Sequence, residues 1–258
     1  MTGLEGAVLF GAALAGGALN AVAGGGSFFT FPSLLLTGVP PIQANATSTV
    51  ALWPGSLMSV AAYWRELRGR HGLPLLAGAS VLGGLLGALL LLHTPAATFA
   101  RLVPYLLLAA TLLFTFGGAI TRYVRARLNL HLAGEPAPPR AALAGTVLLQ
   151  LLIATYGGYF GGGIGILMLA SLALLGMENI HEMNALKTLM ATCINGVAVA
   201  AFVLAGAVAW PQALLMLAGS ITGGYGAAHY ARRLDPRLVR RIVIVTGFGL
   251  TLYFFWRG

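Results

Sequence analysis

The residue of this sequence best placed to do chemistry is Lys187, the only lysine, which lies five residues inside an apolar run over 183–207. A run of this length can cross a membrane, where a charged side chain costs about 2.5 kcal/mol or more. Two interpretations stay open. Lys187 extends from a helix end to the membrane surface, or it is the counter-charge of an anionic substrate.

Polar residues with hydrogen-bond donors surround Lys187. At 100° per residue, Asn184, Lys187 and Asn195 fall within about 80° of one helix face, which we call the second polar stripe. An offset of 139 residues maps them onto a first polar stripe, which consists of Asn45, Ser48 and Ser56. Hydroxyl and amide groups offer donors without adding charge, as an oxyanion requires. The predicted binding residues in these two regions are Asn45, Thr47, Ser48, Thr49, Asn184, Lys187, Thr188 and Asn195.

Two glycine triplets, each followed by a short apolar run, stand at equivalent places in the two halves. Glycine inside a helix costs about 1 kcal/mol relative to alanine, so a triplet ends a helix. The runs that follow, 27–37 and 163–176, are shorter as helices than the ~30 Å hydrocarbon layer, and their first N–H groups attract anions. The competing interpretation is that the triplets only let helices pack closely. The residues expected in this part of the site are Gly24, Gly25, Gly26, Ser27, Gly161, Gly162 and Gly163.

The elements that must position these residues are membrane helices. Hydrophobic residues make up 58% of the 258 positions, charged residues 8%, and the mean hydropathy is +0.87. These values predict an all-α integral membrane protein rather than a soluble domain. The net charge of +9 comes from arginines grouped at 65–70, 122–140 and 232–241. Such loops suit the anionic headgroups of membrane lipids, and we expect no nucleic-acid partner.

Other classes of site find no support in the sequence. Cys193 is the only cysteine, and the chain has no HExxH, no P-loop and no cluster of histidines and carboxylates with metal-ligand spacing. We therefore expect no enzymatic activity, no cofactor and no metal. The four tryptophans are assigned to the aromatic belts of the membrane surfaces: Trp53, Trp64, Trp210 and Trp256.

The chain divides into two copies of one unit. We expect a first transmembrane repeat over 1–121, a basic cytoplasmic linker over 122–140 and a second transmembrane repeat over 141–258. If all arginine loops face the cytoplasm, each unit has three or five crossings, depending on whether the short runs span the membrane or form hairpins. An odd number places the units in opposite orientations. This predicts two inverted structural repeats with 8 to 10 membrane segments and a midplane site between glycine-broken short helices.

The duplicated elements resemble the sulfite exporter TauE/SafE family of membrane permeases. In each unit a Gly-Gly-Gly element is followed by a short apolar run, a glycine (Gly38, Gly176) and an Asn-Ala element ("ANATST", "MNALKT"). The resemblance covers nearly the whole chain, although the second unit lacks a proline equivalent to Pro32 and carries Lys187 where the first has Ser48.

This resemblance implies a secondary transporter of small sulfur-containing anions, such as sulfite or organosulfonates. Fourteen arginines against one lysine point to a bacterial genome, and we expect the protein in the cell inner membrane. Family members are assigned to both export and uptake, so the direction stays open. We expect alternating access in which one unit rocks against the other. The alternative is a non-transporting membrane scaffold or assembly subunit, in which the polar stripes only hold helices together.

Overall fold

The computed structural model describes residues 1–22, 25–63, 67, 73–129, 140–174, 177, 179–230 and 236–257, and this part of the chain is helical without strands. The described residues form ten helices: α1 (Gly3–Val22), α2 (Ser27–Leu36), α3 (Pro41–Ala62), α4 (Leu73–His93), α5 (Ala96–Asn129), α6 (Arg140–Tyr159), α7 (Ile164–Leu174), α8 (Ile180–Leu204), α9 (Trp210–Tyr230) and α10 (Pro236–Arg257). The all-α prediction is confirmed. Helix α5 extends into the predicted linker, whose residues 130–139 lie outside the described part.

Both predicted helix breaks are present, between α1 and α2 and between α6 and α7. Gly25 has a φ of +101°, and Gly161 and Gly163 have φ of +80° and +76°. This left-handed region suits glycine because it has no Cβ. The prediction that the triplets end helices is therefore confirmed for these residues, whereas Gly24 lies outside the described ones.

The helices differ in their capacity to cross a membrane. Helices α2 and α7 have 10 and 11 residues, or about half the ~30 Å hydrocarbon thickness at 1.5 Å per residue. Among the described residues, four stretches are long and apolar enough to span: Gly3–Asn20, Pro74–His93, Ala96–Ile120 and His181–Leu204. Helix α3 has a suitable length, but its polar stripe lowers its hydropathy. The count of 8 to 10 segments stays a prediction.

The two units are interlocked by two pairs of closely packed, parallel helices, α1 with α9 and α4 with α6. A Cβ added at Gly219 in α9 would lie 2.7 Å from the Phe10 carbonyl oxygen in α1. A Cβ added at Gly83 in α4 would lie 2.6 Å from the Leu151 carbonyl oxygen in α6. Each pair joins the first helix of one unit to the fourth helix of the other, so small residues bring the backbones of the two units together.

The fifth helices of the two units, α5 and α10, pack against each other in opposite directions. Thr111 in α5 lies against Gly247 in α10. Further along, the Tyr105 and Phe255 rings have centroids 5.0 Å apart. An antiparallel contact between equivalent helices is what an inverted repeat requires. The inverted relation itself stays a proposal.

The third helices, α3 and α8, also contact each other. The start of each helix packs in the same cluster as the end of the other. One buried cluster contains Ala44 from the start of α3 and Phe202 from the end of α8. The other has Met183 from the start of α8, with Val60 from the end of α3 packed against it. Helices α3 and α8 are therefore antiparallel, and both carry a polar stripe.

Candidate functional site

The two glycine triplets converge on the middle of α5. A Cβ at Gly25 would lie 3.4 Å from the Phe114 ring, and one at Gly162 would lie 2.9 Å from the Ala110 Cβ. A Cβ at Gly163 would lie 3.4 Å from the Leu113 Cβ. Residues 110 to 114 form little more than one helical turn. Helices α1 and α2 form one hairpin and α6 and α7 the other, and each glycine triplet lies at the tip of its hairpin. The two tips therefore approach the same part of α5.

The triplets also serve helix packing, which was the competing interpretation. Gly26 is buried, and a Cβ there would meet the backbone carbonyl oxygen of Gly16 in α1. The Phe31 and Phe160 rings pack edge to face across the two hairpins, with centroids 5.5 Å apart. Ser27, at the start of α2, remains partly exposed. Packing thus accounts for Gly26, while Gly25 and Ser27 remain candidates for ligand contact.

The residues at which α3 and α8 begin fix the positions of the polar residues in these helices. Helix α3 begins with Pro41, whose fixed φ suits the first helical position. Helix α8 is capped by the Asn179 side chain, which accepts hydrogen bonds from the His181 and Glu182 N–H groups at 3.0 and 3.5 Å. This cap fixes the start of α8 about two turns before Lys187.

Three polar residues of α3, Asn45, Thr47 and Ser48, are buried, and Thr49 is partly exposed. The side chains of all four are bonded within the protein. The Asn45 amide donates to the Tyr159 carbonyl oxygen of α6 at 3.1 Å. The Thr47 hydroxyl accepts from the Ala209 N–H at 3.0 Å. The Ser48 and Thr30 hydroxyls bond each other at 2.6 Å, and the Thr49 hydroxyl donates to the Asn45 carbonyl oxygen at 2.9 Å. In this structure the bonds of Asn45, Thr47 and Ser48 hold α2, α3, α6 and the start of α9 together.

The second polar stripe is more open. Asn184, Lys187, Thr188 and Asn195 are all partly exposed. The Lys187 ammonium donates to the Asn184 Oδ1 at 3.0 Å, and its aliphatic stem lies beside Gly165 near the start of α7. The ammonium has three N–H donors, so two remain after this bond for other acceptors.

Two residues near the centre of the stripes, Trp53 and Thr192, are not among the site residues predicted from the sequence. The Trp53 Nε1–H donates to the Thr192 carbonyl oxygen at 3.1 Å, across 139 positions of the chain. Trp53 lies midway along α3, so its assignment to an aromatic belt is wrong. Applying the offset of 139 to every residue on the polar face, rather than to polar residues alone, would have identified this pair.

Ser48 and Lys187 lie on opposite sides of the Trp53–Thr192 contact, whereas Ser56 and Asn195 follow it in their helices. Ser48 precedes Trp53 by five residues, and Lys187 precedes Thr192 by five. Because α3 and α8 are antiparallel, each of the two lies about 7.5 Å from the crossing in opposite directions. An anion bound beside Lys187 would therefore not contact Ser48. The Lys187 side and the Ser48 side of the crossing offer two successive sets of donors.

The donor set suits an anion. It combines one ammonium with hydroxyl and amide groups, and charged hydrogen bonds of this type are stronger than neutral ones. Within the part of the chain that the structure describes, no group of three or more His, Cys, Asp or Glu side chains could hold a metal ion.

Comparison with known proteins places the chain in a family. The model of the family described as "Sulfite exporter TauE/SafE" matches residues 9–254. A "Probable membrane transporter protein" of Haemophilus influenzae is 31% identical over 249 residues, which cover 95% of this chain and 92% of the relative. A "Probable membrane transporter protein ORF9" of Sinorhizobium sp is 28% identical, with 95% and 90% of the two chains covered.

A third relative, the "Probable membrane transporter protein YfcA" of Escherichia coli K12, is 27% identical over 92% of this chain and 85% of its own length. No solved structure matches the chain. The family match extends from α1 to α10. The resemblance found in the duplicated glycine and Asn-Ala elements is thereby confirmed, and this chain belongs to the sulfite exporter TauE/SafE family of membrane transporters.

Proposed function

We propose that this protein is a secondary carrier of small sulfur-containing anions such as sulfite or organosulfonates. The observation that carries the proposal is the position of Lys187, a lysine within a spanning helix whose ammonium is held by Asn184 beside the broken helix α7. Burying a cation at this depth costs free energy, so a charged residue within a spanning helix usually serves a function. The family description, which names sulfite, supports this class of substrate.

The site in this proposal consists of the two polar stripes and the two triplet tips. Helices α2 and α7 begin at the triplets, and the positive ends of their dipoles face the region where the tips meet α5. An irregular backbone is tolerated at membrane depth where it lines a polar cavity. We assign the initial anion contact to Lys187, Asn184 and Thr188, since this part of the stripe is open.

Orientation follows from the arginines. If the loop after α3 and the loop before α10 are cytoplasmic, Lys187 lies in the cytoplasmic half and Ser48 in the opposite half. In this proposal, the polar groups around Lys187 form the open, cytoplasmic half of the path, and those around Ser48 form its closed half. The proposed location is a bacterial inner membrane, in agreement with the bacterial origin of the relatives.

The interlocked helix pairs modify the expected movement. Rocking of one sequence repeat against the other would separate α1 from α9 and α4 from α6, where backbones are in close contact. We therefore assign each of these pairs to a single moving body. Alternating access then closes the Lys187 side of the path and opens the Ser48 side, without breaking the glycine contacts.

The deciding experiment is flux of isotope-labelled sulfite into proteoliposomes under anaerobic conditions, so that sulfite is not oxidised to sulfate. We expect saturable flux that is absent from protein-free liposomes and reduced in Lys187→Ala. A folded protein without sulfite or sulfonate flux would favour the alternative, a membrane scaffold. The interhelical bonds of Asn45 and Thr47 are the observation that supports that alternative.

A further inference from the structure

Trp53 and Thr192 occupy the same position in the two polar stripes and contact each other where α3 and α8 cross. The Trp53 Nε1–H donates to the Thr192 carbonyl oxygen at 3.1 Å. The indole lies over Gly196, where an added Cβ would be 3.1 Å from Cζ2. A bulky aromatic ring thus separates the Ser48 side of the contact from the Lys187 side.

The Thr192 hydroxyl is the second observation at this point. Thr192 is 7% exposed, and its Oγ1 is buried without a hydrogen-bond partner among the described residues. Nearby hydroxyls have partners: Ser48 bonds Thr30 at 2.6 Å, and Thr188 donates to the Asn184 carbonyl oxygen at 2.8 Å. An unpaired buried hydroxyl costs free energy, so a residue without a ligand role would be better replaced by valine.

We propose that Trp53 is the barrier between the Ser48 side and the Lys187 side of the α3–α8 crossing, and that the Thr192 hydroxyl is the donor that receives the anion when the indole moves aside. This inference rests on the proposed transport function. A path along the polar faces of α3 and α8 must pass their crossing, where Trp53 closes it. At 100° per residue, Thr192 lies about 140° from Lys187 around α8 but within about 80° of Asn184 and Thr188. These two residues, rather than Lys187 itself, lead to the hydroxyl along that path.

The first test is Thr192→Val, which removes the hydroxyl and keeps the shape. We expect the KM for sulfite to rise about tenfold, the scale of a hydrogen bond to a charged group, while the thermal stability in detergent stays equal or increases. The matched control is Thr251→Val, because the Thr251 hydroxyl is buried but donates to the Gly247 carbonyl oxygen at 2.8 Å. Unchanged sulfite KM in Thr192→Val would overturn the donor role.

The second test concerns the barrier. Trp53→Ala is expected to replace saturable sulfite flux by flux that rises linearly with concentration, and to admit iodide. Trp53→Phe keeps most of the ring but loses the N–H, so we expect about fivefold more leak of sulfite without loss of saturation. Trp210→Ala is the matched control, because Trp210 is 47% exposed at the start of α9. Saturable flux that excludes iodide in Trp53→Ala would contradict the barrier.

A third measurement does not depend on a folded Trp53→Ala variant. In a protein whose other tryptophans are changed to phenylalanine, Trp53 fluorescence should shift when sulfite is added, because the indole leaves the Thr192 carbonyl. A chloride addition is the control, and an unchanged spectrum in protein that transports sulfite would contradict movement of the ring. If the wild-type protein moves no sulfite, the transport function fails, whereas iodide leak in Trp53→Ala would still support the barrier.

Discussion

The backbone carbonyl oxygen of Thr155 in α6 lies directly against Gly87 in α4, at a position where a Cβ has no room. In the other half of the molecule, the Leu14 carbonyl oxygen in α1 stands in the same relation to Gly223 in α9. The same close contact therefore joins the two units twice. This relation, rather than sequence adjacency, decides which helices can move together.

Gly87→Ala should destabilise the protein, by about 1–3 kcal/mol, because the added methyl group overpacks the α4–α6 contact. Gly78→Ala in the same helix is the matched control. A Cβ at Gly78 meets nothing within 4 Å, so alanine there should raise stability slightly through its helix propensity. Unfolding of both variants in detergent, followed by far-UV circular dichroism, measures the difference. Equal stability of the two variants would show that α4 and α6 are not locked together.

A buried polar pair distinguishes the two interlocked interfaces. The Gln150 Nε2 donates to the Ser80 Oγ at 2.9 Å between α6 and α4, and the Gln150 Oε1 is buried without a partner among the described residues. Gln150 comes one residue before Leu151, and Ser80 comes three before Gly83. In the matching contact of Phe10 with Gly219, the same positions hold Leu9 and Met216, which are apolar and fully buried. An apolar pair is therefore compatible with this packing.

We expect Ser80→Ala alone to destabilise the protein by about 1–2 kcal/mol, since it leaves the Gln150 amide without its acceptor. Adding Gln150→Leu should restore most of this loss, because no polar group then stays unpaired. A double-mutant cycle on unfolding free energies measures the coupling. Additive effects of the two changes would mean that the hydrogen bond contributes nothing.

The glycine triplets give a prediction on transport. Gly162→Leu should block sulfite flux and leave membrane insertion intact, because its side chain would enter the space between Phe160 and Ala110 where the hairpin tips meet. Gly25→Leu should do the same and also strain the backbone, as its φ is +101°. Flux assays with equal amounts of inserted protein are the measurement. Retained flux in both variants would reduce the triplets to packing elements.

Local signals explain which parts of this structure could be predicted from the sequence. The helix breaks at Gly25 and Gly161 follow from glycine's own backbone preference, so a short stretch of sequence is sufficient to predict them. The contact of Gly26 with Gly16 depends on which helices are neighbours, and small residues occur in most helices of this chain. Trp53 was misassigned because tryptophan is common at membrane surfaces, and its partner lies 139 residues away.

The proposed inverted orientation of the two units predicts the membrane side of each loop. In a protein with Cys193→Ser, single cysteines at positions 68 and 237 should both react with an impermeant maleimide from the cytoplasmic side. A cysteine at position 94, in the turn between α4 and α5, should react from the other side. Position 68 lies outside the described residues, so labelling tests it independently. Opposite labelling of 68 and 237 would contradict the inverted repeat.

The last prediction concerns the charge at the site. Lys187→Ala should weaken sulfite binding by about 1.5–3 kcal/mol, the scale of a hydrogen bond to a charged group. Lys187→Arg should restore only part of it, because a planar guanidinium does not fit the place of a compact ammonium beside Asn184.

Ser48→Ala is the comparison variant for Lys187→Ala, and it should weaken sulfite binding less. It removes a neutral hydroxyl whose partner is Thr30, on the far side of the Trp53 contact. Binding isotherms for sulfite and for a neutral analogue of similar size separate charge recognition from packing. Loss confined to the anion would support Lys187 as the counter-charge. Unchanged anion affinity in Lys187→Ala would instead make it a lysine that extends to the membrane surface, and the search for the anion contact would return to the starts of α2 and α7.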